Sequence, residues 1–520
     1  MRKRLPFAAS LALLALACIA GCATTARPRA LPIEIEELRA TDSWRATYTF
    51  PRPLTEVTFA RDVWAPLRDG WKVVEPAGAT WRYDADKSET LVLPAPARRV
   101  VIEFPTMARD LEKDYNVNLT FTDGSRLLYT GHLRVAGFDA RFTFRTDADR
   151  DIRVLDQHGR GSLPWRSNDD TYVYFGAIQP VAHERMTLIV DPGLPPWIAR
   201  QMRELAPKQL DYFAARVGEP LKFKPLVLLS YVGDRSSGYS FKGGTLPGLV
   251  QIAIDGKEWT TETPLGAELW YSRLAHEIFH LWNGQQFPHA DTAEWLSEAS
   301  ADTAALRAML DNRVIDEARF ETLVVEAANE CIIRLQGKPV LQAQPRTYYA
   351  CGVLSQLMAG QDPWAVYRRV FPGGYDNREY FAALDPERRE PVVQLIERGL
   401  TTPVDAFLER QLRDAGIRVT RVKPEEAIVP QNATRSMLAD TLRRCACRTS
   451  LPQCQSLGRV EKIGEIDARR EPAKAQAASL AGETRVTIGG NVVTMQCTPA
   501  DADPTFTTLL RLDPSLPSSR

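Results

Sequence analysis

The pattern that most constrains this chain is His-Glu-Ile-Phe-His at residues 276–280. Histidine is scarce, with six in 520 residues, and two of them fall in this pattern. Residues four apart share one face of a helix, so His276 and His280 can both reach one metal ion. Thr263 and Pro264 are typical of a helix N-cap and first helical residue, and Gly284 is a plausible stop. The pattern predicts a helix that presents two imidazoles, with Glu277 beside them.

A zinc site needs a third protein ligand and an open fourth position, because an isolated HExxH also arises by chance. Glu298 follows His280 by eighteen residues, and Asp302 lies one helical turn beyond it, where a second acid can orient a histidine. Glu294 is the alternative ligand. His289 is less favoured because the glycine and histidine of the metzincin spacing are absent. We therefore predict that the two histidines and Glu298 bind one Zn²⁺ ion.

These motifs resemble those of the gluzincin zinc metallopeptidases. The pattern continues as His-x-Trp-Asn at 280–283, and Trp-Leu-Ser-Glu at 295–298 is similar to the WxSE signature of the glycyl aminopeptidase family. Glu298 and Asp302 also resemble the ExxxD of thermolysin-like enzymes. The resemblance implies a peptidase whose catalytic domain combines a small mixed sheet with a helical subdomain. It implies that Glu277 is the general base that takes a proton from water during peptide-bond hydrolysis.

The resembled family also places a tyrosine near the transition state, in a Tyr-x-x-Gly context. Tyr349 has that spacing to Gly352, whereas Tyr348 fits it less well. The resemblance implies that Tyr349 donates a hydrogen bond to the tetrahedral oxyanion. Two buried tyrosines at a helix start would be the structural alternative. Ala299 departs from the family, which has glycine after the ligand glutamate.

A glycine-rich segment at 243–248 corresponds to the stretch in which related aminopeptidases carry an acid for the substrate's free amine. No acid is present here, so the sequence does not assign aminopeptidase activity. Gly243 and Gly244 are instead predicted substrate-binding residues, on a strand whose edge could pair with an extended peptide. A plain hairpin is the alternative.

The N-terminus carries a targeting pattern. Residues 1–21 combine the positive Arg2, Lys3 and Arg4 with an apolar run over 11–20, as a signal peptide does. Ile-Ala-Gly-Cys at 19–22 resembles the bacterial lipobox, which implies lipid on Cys22 and a membrane-anchored lipoprotein. Ala23, by resemblance to enterobacterial sorting, implies the outer membrane, facing the periplasm. The alternative is an ordinary secretory signal cleaved near Ala23.

Composition narrows the function classes. Lys plus Arg and Asp plus Glu both number 65, so the net charge is zero, which argues against a nucleic-acid partner. The 44% hydrophobic content is too high for a disordered chain. The partners predicted are a peptide or protein substrate and, through the lipid, a membrane. A catalytically silent peptide-binding or scaffolding envelope lipoprotein is the alternative function.

The predicted fold class is multidomain α+β. A lipidated tether over 22–43 is followed by an N-terminal β-sandwich over 44–192 and the catalytic domain over 193–425. A small mixed module over 430–500, either disulfide-stapled or PDZ-like, precedes a tail at 501–520. The six cysteines after the signal region favour disulfides in an oxidising compartment, with Cys331 and Cys351 able to pair.

Overall fold

The computed structural model describes most of the chain from residue 29 to 429. The described ranges are 29–61, 67–68, 70–86, 88–106, 115–166, 169–234, 238–335 and 337–429, followed by 442, 445–447, 460–467, 482–488, 491–497 and 508–513. The predicted signal peptide and Cys22 lie outside the described residues. Within them, no helix is both long enough and apolar enough to cross a membrane.

The chain forms two compact units. The first comprises the residues up to Thr120 together with Gly124–Ala177, and the second comprises Phe121–Asp123 and everything from Ile178 onward. The prediction of a β-sandwich reaching residue 192 is therefore wrong at its C-terminal end. Residues 188–190 are apolar on both faces because they belong to a buried parallel strand of the second unit, Thr187–Val190.

The first unit consists of β-strands in two sheets. The strands are β1 (Arg29–Leu38), β2 (Ser43–Thr58), β3 (Lys72–Glu75), β4 (Thr80–Tyr83), β5 (Glu89–Pro105), β6 (Asn118–Thr120), β7 (Arg126–Tyr129), β8 (Phe138–Arg145), β9 (Asp151–Val154), β10 (Gln157–Arg160), β11 (Ser162–Arg166) and β12 (Tyr172–Gly176). One sheet has the order β11-β8-β1-β2-β5-β3, with β4 also on β5, and the other has the order β10-β9-β12-β7-β6. The rings of Trp44 on β2 and Phe175 on β12 lie 4.7 Å apart, so the two sheets share one core.

The predicted tether over 22–43 is wrong for residues 29–38, which form β1. Leu31, Ile33 and Ile35 are fully or almost fully buried, whereas Glu34 between them is exposed. This period of two is that of a strand with one face on a core.

The second unit is built around a five-stranded mixed sheet. Its strands are β13 (Val181–Ala182), β14 (Thr187–Val190), β15 (Leu226–Gly233), β16 (Ser240–Leu246) and β17 (Leu249–Asp255), in the order β13-β14-β15-β17-β16. β14, β15 and β17 are parallel, and β16 runs antiparallel to β17 at the edge. The sheet and the helices around it share one large core.

Nine α-helices follow or flank this sheet in the described part of the chain. They are α1 (Pro196–Val217), α2 (Pro264–His280), α3 (Glu294–Asp311), α4 (Glu317–Leu335), α5 (Thr347–Met358), α6 (Pro363–Val370), α7 (Asn377–Ala383), α8 (Pro386–Val393) and α9 (Val404–Asp414). π-helical turns continue α2 over Leu281–Gln286 and α8 over Gln394–Arg398. α3 packs against both α2 and α5.

The C-terminal region returns to strands. These are β18 (Val419–Val422), β19 (Ala446–Cys447), β20 (Val460–Ile463), β21 (Ile466–Asp467), β22 (Gly482–Ile488), β23 (Asn491–Cys497) and β24 (Leu509–Leu512). β19, β23, β22, β20 and β21 form one sheet in that order. The prediction of a tail over 501–520 is wrong for β24, which pairs with β18. The buried Asn329 side chain holds it by hydrogen bonds to both backbone groups of Leu510.

Candidate metal centre

Helix α2 begins where its sequence predicts. The Thr263 hydroxyl accepts a hydrogen bond from the Gly266 backbone N–H at 2.9 Å, and Pro264 is the first helical residue. Trp270 and Leu274, both fully buried, fix the inner face of the helix. One more turn along, the same helix presents the HExxH side chains.

The three predicted ligands, His276, His280 and Glu298, converge into one group, called here the ligand cluster. The Nε2 atoms of His276 and His280 lie 3.1 Å apart, and Glu298 Oε2 lies 3.3 Å from the first and 3.6 Å from the second. With zinc–ligand bonds of about 2.0–2.1 Å, the edge of a coordination tetrahedron is about 3.3 Å. Glu298 Oε2 is also buried and accepts no hydrogen bond. Two imidazoles and one carboxylate at this spacing therefore fit a zinc ion, and no other such cluster occurs among the described residues.

Each histidine is held through its second nitrogen. His276 Nδ1 lies 2.7 Å from Asp302 Oδ1, as predicted for an acid that orients a ligand. His280 Nδ1 lies 3.0 Å from Asn283 Oδ1. Sequence reasoning assigned no role to Asn283, although the HxWN motif contains it. In both cases the Nε2 atom is left to face the ligand cluster.

The ligand cluster has the electrostatics of a cation site. Burial alone would lower the pKa of His276, but the carboxylates of Asp302 and Glu298 raise it to about 10. Burial likewise opposes ionisation of Glu298, yet the two imidazoles hold the pKa of its carboxyl well below its usual range. The carboxylates of Asp302 and Glu298 thus stabilise a positive charge in the ligand cluster.

Glu277 lies under the edge strand β16. Its side chain is 8% exposed, and a Cβ atom added to Gly243 would lie only 2.3 Å from its Oε1 atom. The Thr245 hydroxyl donates to the Glu277 backbone carbonyl at 2.9 Å, which ties the strand to the helix. Burial raises the pKa of Glu277, and the two neighbouring imidazoles oppose that rise. A carboxylate with a raised pKa is a better proton acceptor.

Tyr349 lies beside the ligand cluster. Its ring is stacked on His276 with centroids 5.9 Å apart. Burial, followed by the charges of Glu298 and Asp302, raises the pKa of its phenol, so the hydroxyl stays a donor. Tyr348 is half-buried near Glu294, whose charge helps to raise the pKa of Tyr348.

Helix α5, which carries Tyr349, closely approaches α3, which carries Glu298. A Cβ atom added to Gly352 would lie 2.3 Å from the Ala299 Cβ atom, so α5 and α3 meet at a glycine. A disulfide between Cys331 and Cys351 joins α5 to α4. Cys445 is also disulfide-bonded.

The remaining predicted residues lie outside the ligand cluster. Gly243 and Gly244 lie on the edge strand β16, opposite Ile252 and Gln251 of β17. Neither of the alternative ligands, His289 and Glu294, belongs to the ligand cluster; both side chains are exposed or partly exposed.

Comparison with known proteins relates the fold to a group of peptidases. No family model matches the sequence, and no curated protein matches it. The structure is similar to that of an aminopeptidase N family protein from Idiomarina loihiensis, with 12% identity and a TM-score of 0.52, over 93% of this chain and 98% of that one. A mutant of the M1 zinc metallopeptidase from Deinococcus radiodurans, bound to a Tyr-Ser-Ala substrate, gives 16% identity and a TM-score of 0.43 over 72% and 95%.

At 12% identity the first likeness shows a shared fold and nothing finer, and the second adds no argument. The prediction of a mixed α+β multidomain chain is confirmed. Activity has to be argued from the residues of the ligand cluster.

Proposed function

We propose that this chain is a zinc-dependent metallopeptidase of gluzincin type, with Glu277 as general base. The observation that carries the proposal is the convergence of His276 Nε2, His280 Nε2 and Glu298 Oε2 to within 3.6 Å of one another. A buried carboxylate with a raised pKa lies next to them on the same helix. This is the donor set of a catalytic zinc site, which keeps one coordination position open.

Each residue of the candidate site has a separate role in the proposed reaction. The two histidines and Glu298 would hold the ion, and Asp302 would keep His276 in the ligating tautomer. A zinc ion supplies Lewis acidity and an acidified water there. Glu277 takes the proton from the attacking water on its carboxylate and passes it to the leaving amine. Its place under β16 shields this proton transfer from bulk water.

The proposed role of Tyr349 is to stabilise the transition state. Its hydroxyl stays protonated, so it donates a hydrogen bond to the oxygen that becomes negative in the transition state. Such a donor stabilises charge that is absent from the bound substrate, so it raises the rate of the chemical step rather than substrate affinity.

The test is Glu277→Gln, assayed on a peptide library. We expect one zinc ion per chain to remain bound, because Glu277 is not a ligand, and hydrolysis to fall by about 10²–10⁴-fold. Glu204→Gln, on the exposed side of α1, is the matched control and should keep full activity. Undiminished hydrolysis in Glu277→Gln would reject the mechanism. Zinc binding by the wild type without turnover of any peptide would instead favour the silent peptide-binding alternative.

We also propose that the protein is a lipoprotein anchored through Cys22 and facing the periplasm. The proposal is supported by the register of charged residues, apolar run and lipobox-like tetrapeptide in the sequence. Several acyl chains give stable anchoring where one does not. Labelled palmitate should be incorporated into the wild type and lost in Cys22→Ser; label that persists in the variant contradicts the anchor.

A further inference from the structure

The strand that borders Glu277 carries no acid. β16 reads Ser-Phe-Lys-Gly-Gly-Thr-Leu, and Lys242 is its only ionisable residue. This strand therefore offers no carboxylate to the free amine of a substrate.

An arginine, Arg273, lies on the helix that carries Glu277. It precedes Glu277 by four residues on α2, so the two side chains share one face, one turn apart. His280 lies on that face too, one turn beyond Glu277 in the other direction. Arg273 therefore extends the catalytic face of the helix toward its N-terminus.

Arg273 is available to a ligand. Its side chain is exposed, whereas Leu274 beside it is fully buried. No carboxylate lies within ion-pairing distance of Arg273 in the described part of the chain, and Arg273 makes no other polar side-chain contact there. By contrast, Arg319 close to the same helix is fully engaged with Glu268. The charge of Arg273 reaches the catalytic carboxylate, since it acts to lower the pKa of Glu277.

The acids of the candidate site do not neutralise Arg273. Glu298 and Asp302 face the two histidines, and Glu277 is buried under β16. Glu294 is exposed on α3, where its charge reaches Tyr348. An incoming substrate thus meets a free guanidinium on α2, one turn before Glu277.

We infer that Arg273 is a specificity-determining residue that binds a carboxylate of the peptide substrate, one turn of α2 before Glu277. The inference rests on the proposed peptidase function and names its substrate class: peptides that are acidic near the scissile bond. A guanidinium matches a carboxylate by two parallel N–H donors, which a lysine or an amide cannot do. The carboxylate belongs either to an Asp or Glu side chain or to the C-terminus of a short peptide.

The test uses alanine-rich hexapeptides in which Glu, Gln or Lys occupies each position in turn, each with a free or an amidated C-terminus. We expect the wild type to prefer one Glu position, or the free C-terminus, by roughly 10- to 100-fold in kcat/KM, as a charge-assisted hydrogen bond allows. Arg273→Gln should reduce this ratio to near one, and Arg273→Glu should favour Lys at the same position. Because each ratio is measured within one variant, it is independent of how much protein is folded.

A surface variant serves as the control. Arg203→Gln removes an exposed arginine from α1 and should keep the wild-type ratio. The inference is overturned if the wild type shows no acid preference at any position, or if Arg273→Gln retains that preference.

A failure of the peptidase proposal can be distinguished from a failure of the inference about Arg273. If zinc-loaded wild type hydrolyses none of the peptides, the proposed function fails, and calorimetric titration of the same peptides into zinc-loaded Glu277→Gln still tests Arg273. Tighter binding of the acidic peptide, abolished when Arg273→Gln is added, supports the inference. Equal dissociation constants for the Glu and Gln peptides overturn it.

Discussion

His280 owes its orientation to Asn283, a residue that is not itself one of the three candidate ligands. Asn283 is fully buried, and its amide donates to the Ser297 carbonyl at 2.7 Å. That bond fixes which way the amide points, so its oxygen faces His280 Nδ1 at 3.0 Å and must accept a hydrogen bond from it. The proton is thereby kept on Nδ1, and Nε2 remains free to ligate a metal.

We expect Asn283→Ala to weaken zinc binding by about 10–100-fold, because the imidazole loses the partner that fixes its tautomer and orientation. The dissociation constant is measured by competition with a chelating dye. Asn312→Ala removes an amide that donates to the Ala308 carbonyl at the end of α3 and is the matched control. An unchanged zinc affinity in Asn283→Ala, with the variant folded, would contradict the positioning role.

Sequence reasoning reaches the ligand residues because helical spacing is fixed. His276 and His280 share a face at any i, i+4 pair, and Glu298 and Asp302 repeat the same spacing on α3. Asn283 was not predictable in this way. It lies on the π-helical turn after His280, where the helix departs from the 3.6-residue period on which the reasoning relies.

Among the elements, α2 shows which boundaries a sequence specifies. Its start was predictable because the Thr263 cap and Pro264 are local signals. Its end was not: the α-helical hydrogen bonding stops at His280, and π-helical turns carry the chain past Gly284 to Gln286. Trp282 within this segment donates its indole N–H to the Glu219 carbonyl at 2.8 Å, a tertiary contact that no local pattern reveals.

Strand pairing across long stretches of sequence accounts for the errors in domain limits. β1 pairs in parallel with β8, more than a hundred residues later, and β18 pairs with β24 near the C-terminus. In the sequence, Pro28 precedes β1 and Pro32 lies within it. Polar residues and prolines lie on both sides of β24. The partners that make them strands lie outside any local window, so tether and tail were the natural predictions.

The contact between α3 and α5 links two motifs that the sequence presents separately. Gly352 leaves room for the Ala299 Cβ atom, and this close approach brings Tyr349 to the ring of His276. The alanine in place of the family's glycine therefore fills the space at a helix crossing. The Cys331–Cys351 disulfide holds the same end of α5 on α4.

At the scale of the whole molecule, the two units have separate hydrophobic cores, and the candidate zinc site lies entirely within the second. The first unit contains a titratable group of its own. His132 is fully buried; its Nε2–H donates to the Tyr115 carbonyl at 2.8 Å, and its Nδ1 has no partner. Burial, and then the charge of Arg68, lower the pKa of His132 to about 3.

This pKa makes the first unit acid-sensitive. The unfolded chain binds a proton at His132 below about pH 6.5, whereas the folded unit does not until about pH 3, so folding stability is complete above the first value and falls between the two. At about 1.4 kcal/mol per unit of pH, the loss between pH 7 and pH 5 is about 2 kcal/mol. His132→Gln keeps a donor for the Tyr115 carbonyl but cannot be protonated, so its stability should lack this loss.

Urea titration followed by hydrogen-exchange mass spectrometry measures the free energy of unfolding of the first unit from its own peptides, at 126–133 and 172–176. We expect the wild type to lose about 2 kcal/mol more than His132→Gln between pH 7 and pH 5. His158→Gln, an exposed histidine on β10, should behave as the wild type does. Parallel pH dependence in the wild type and His132→Gln would show that the buried imidazole is not the group whose protonation destabilises this unit.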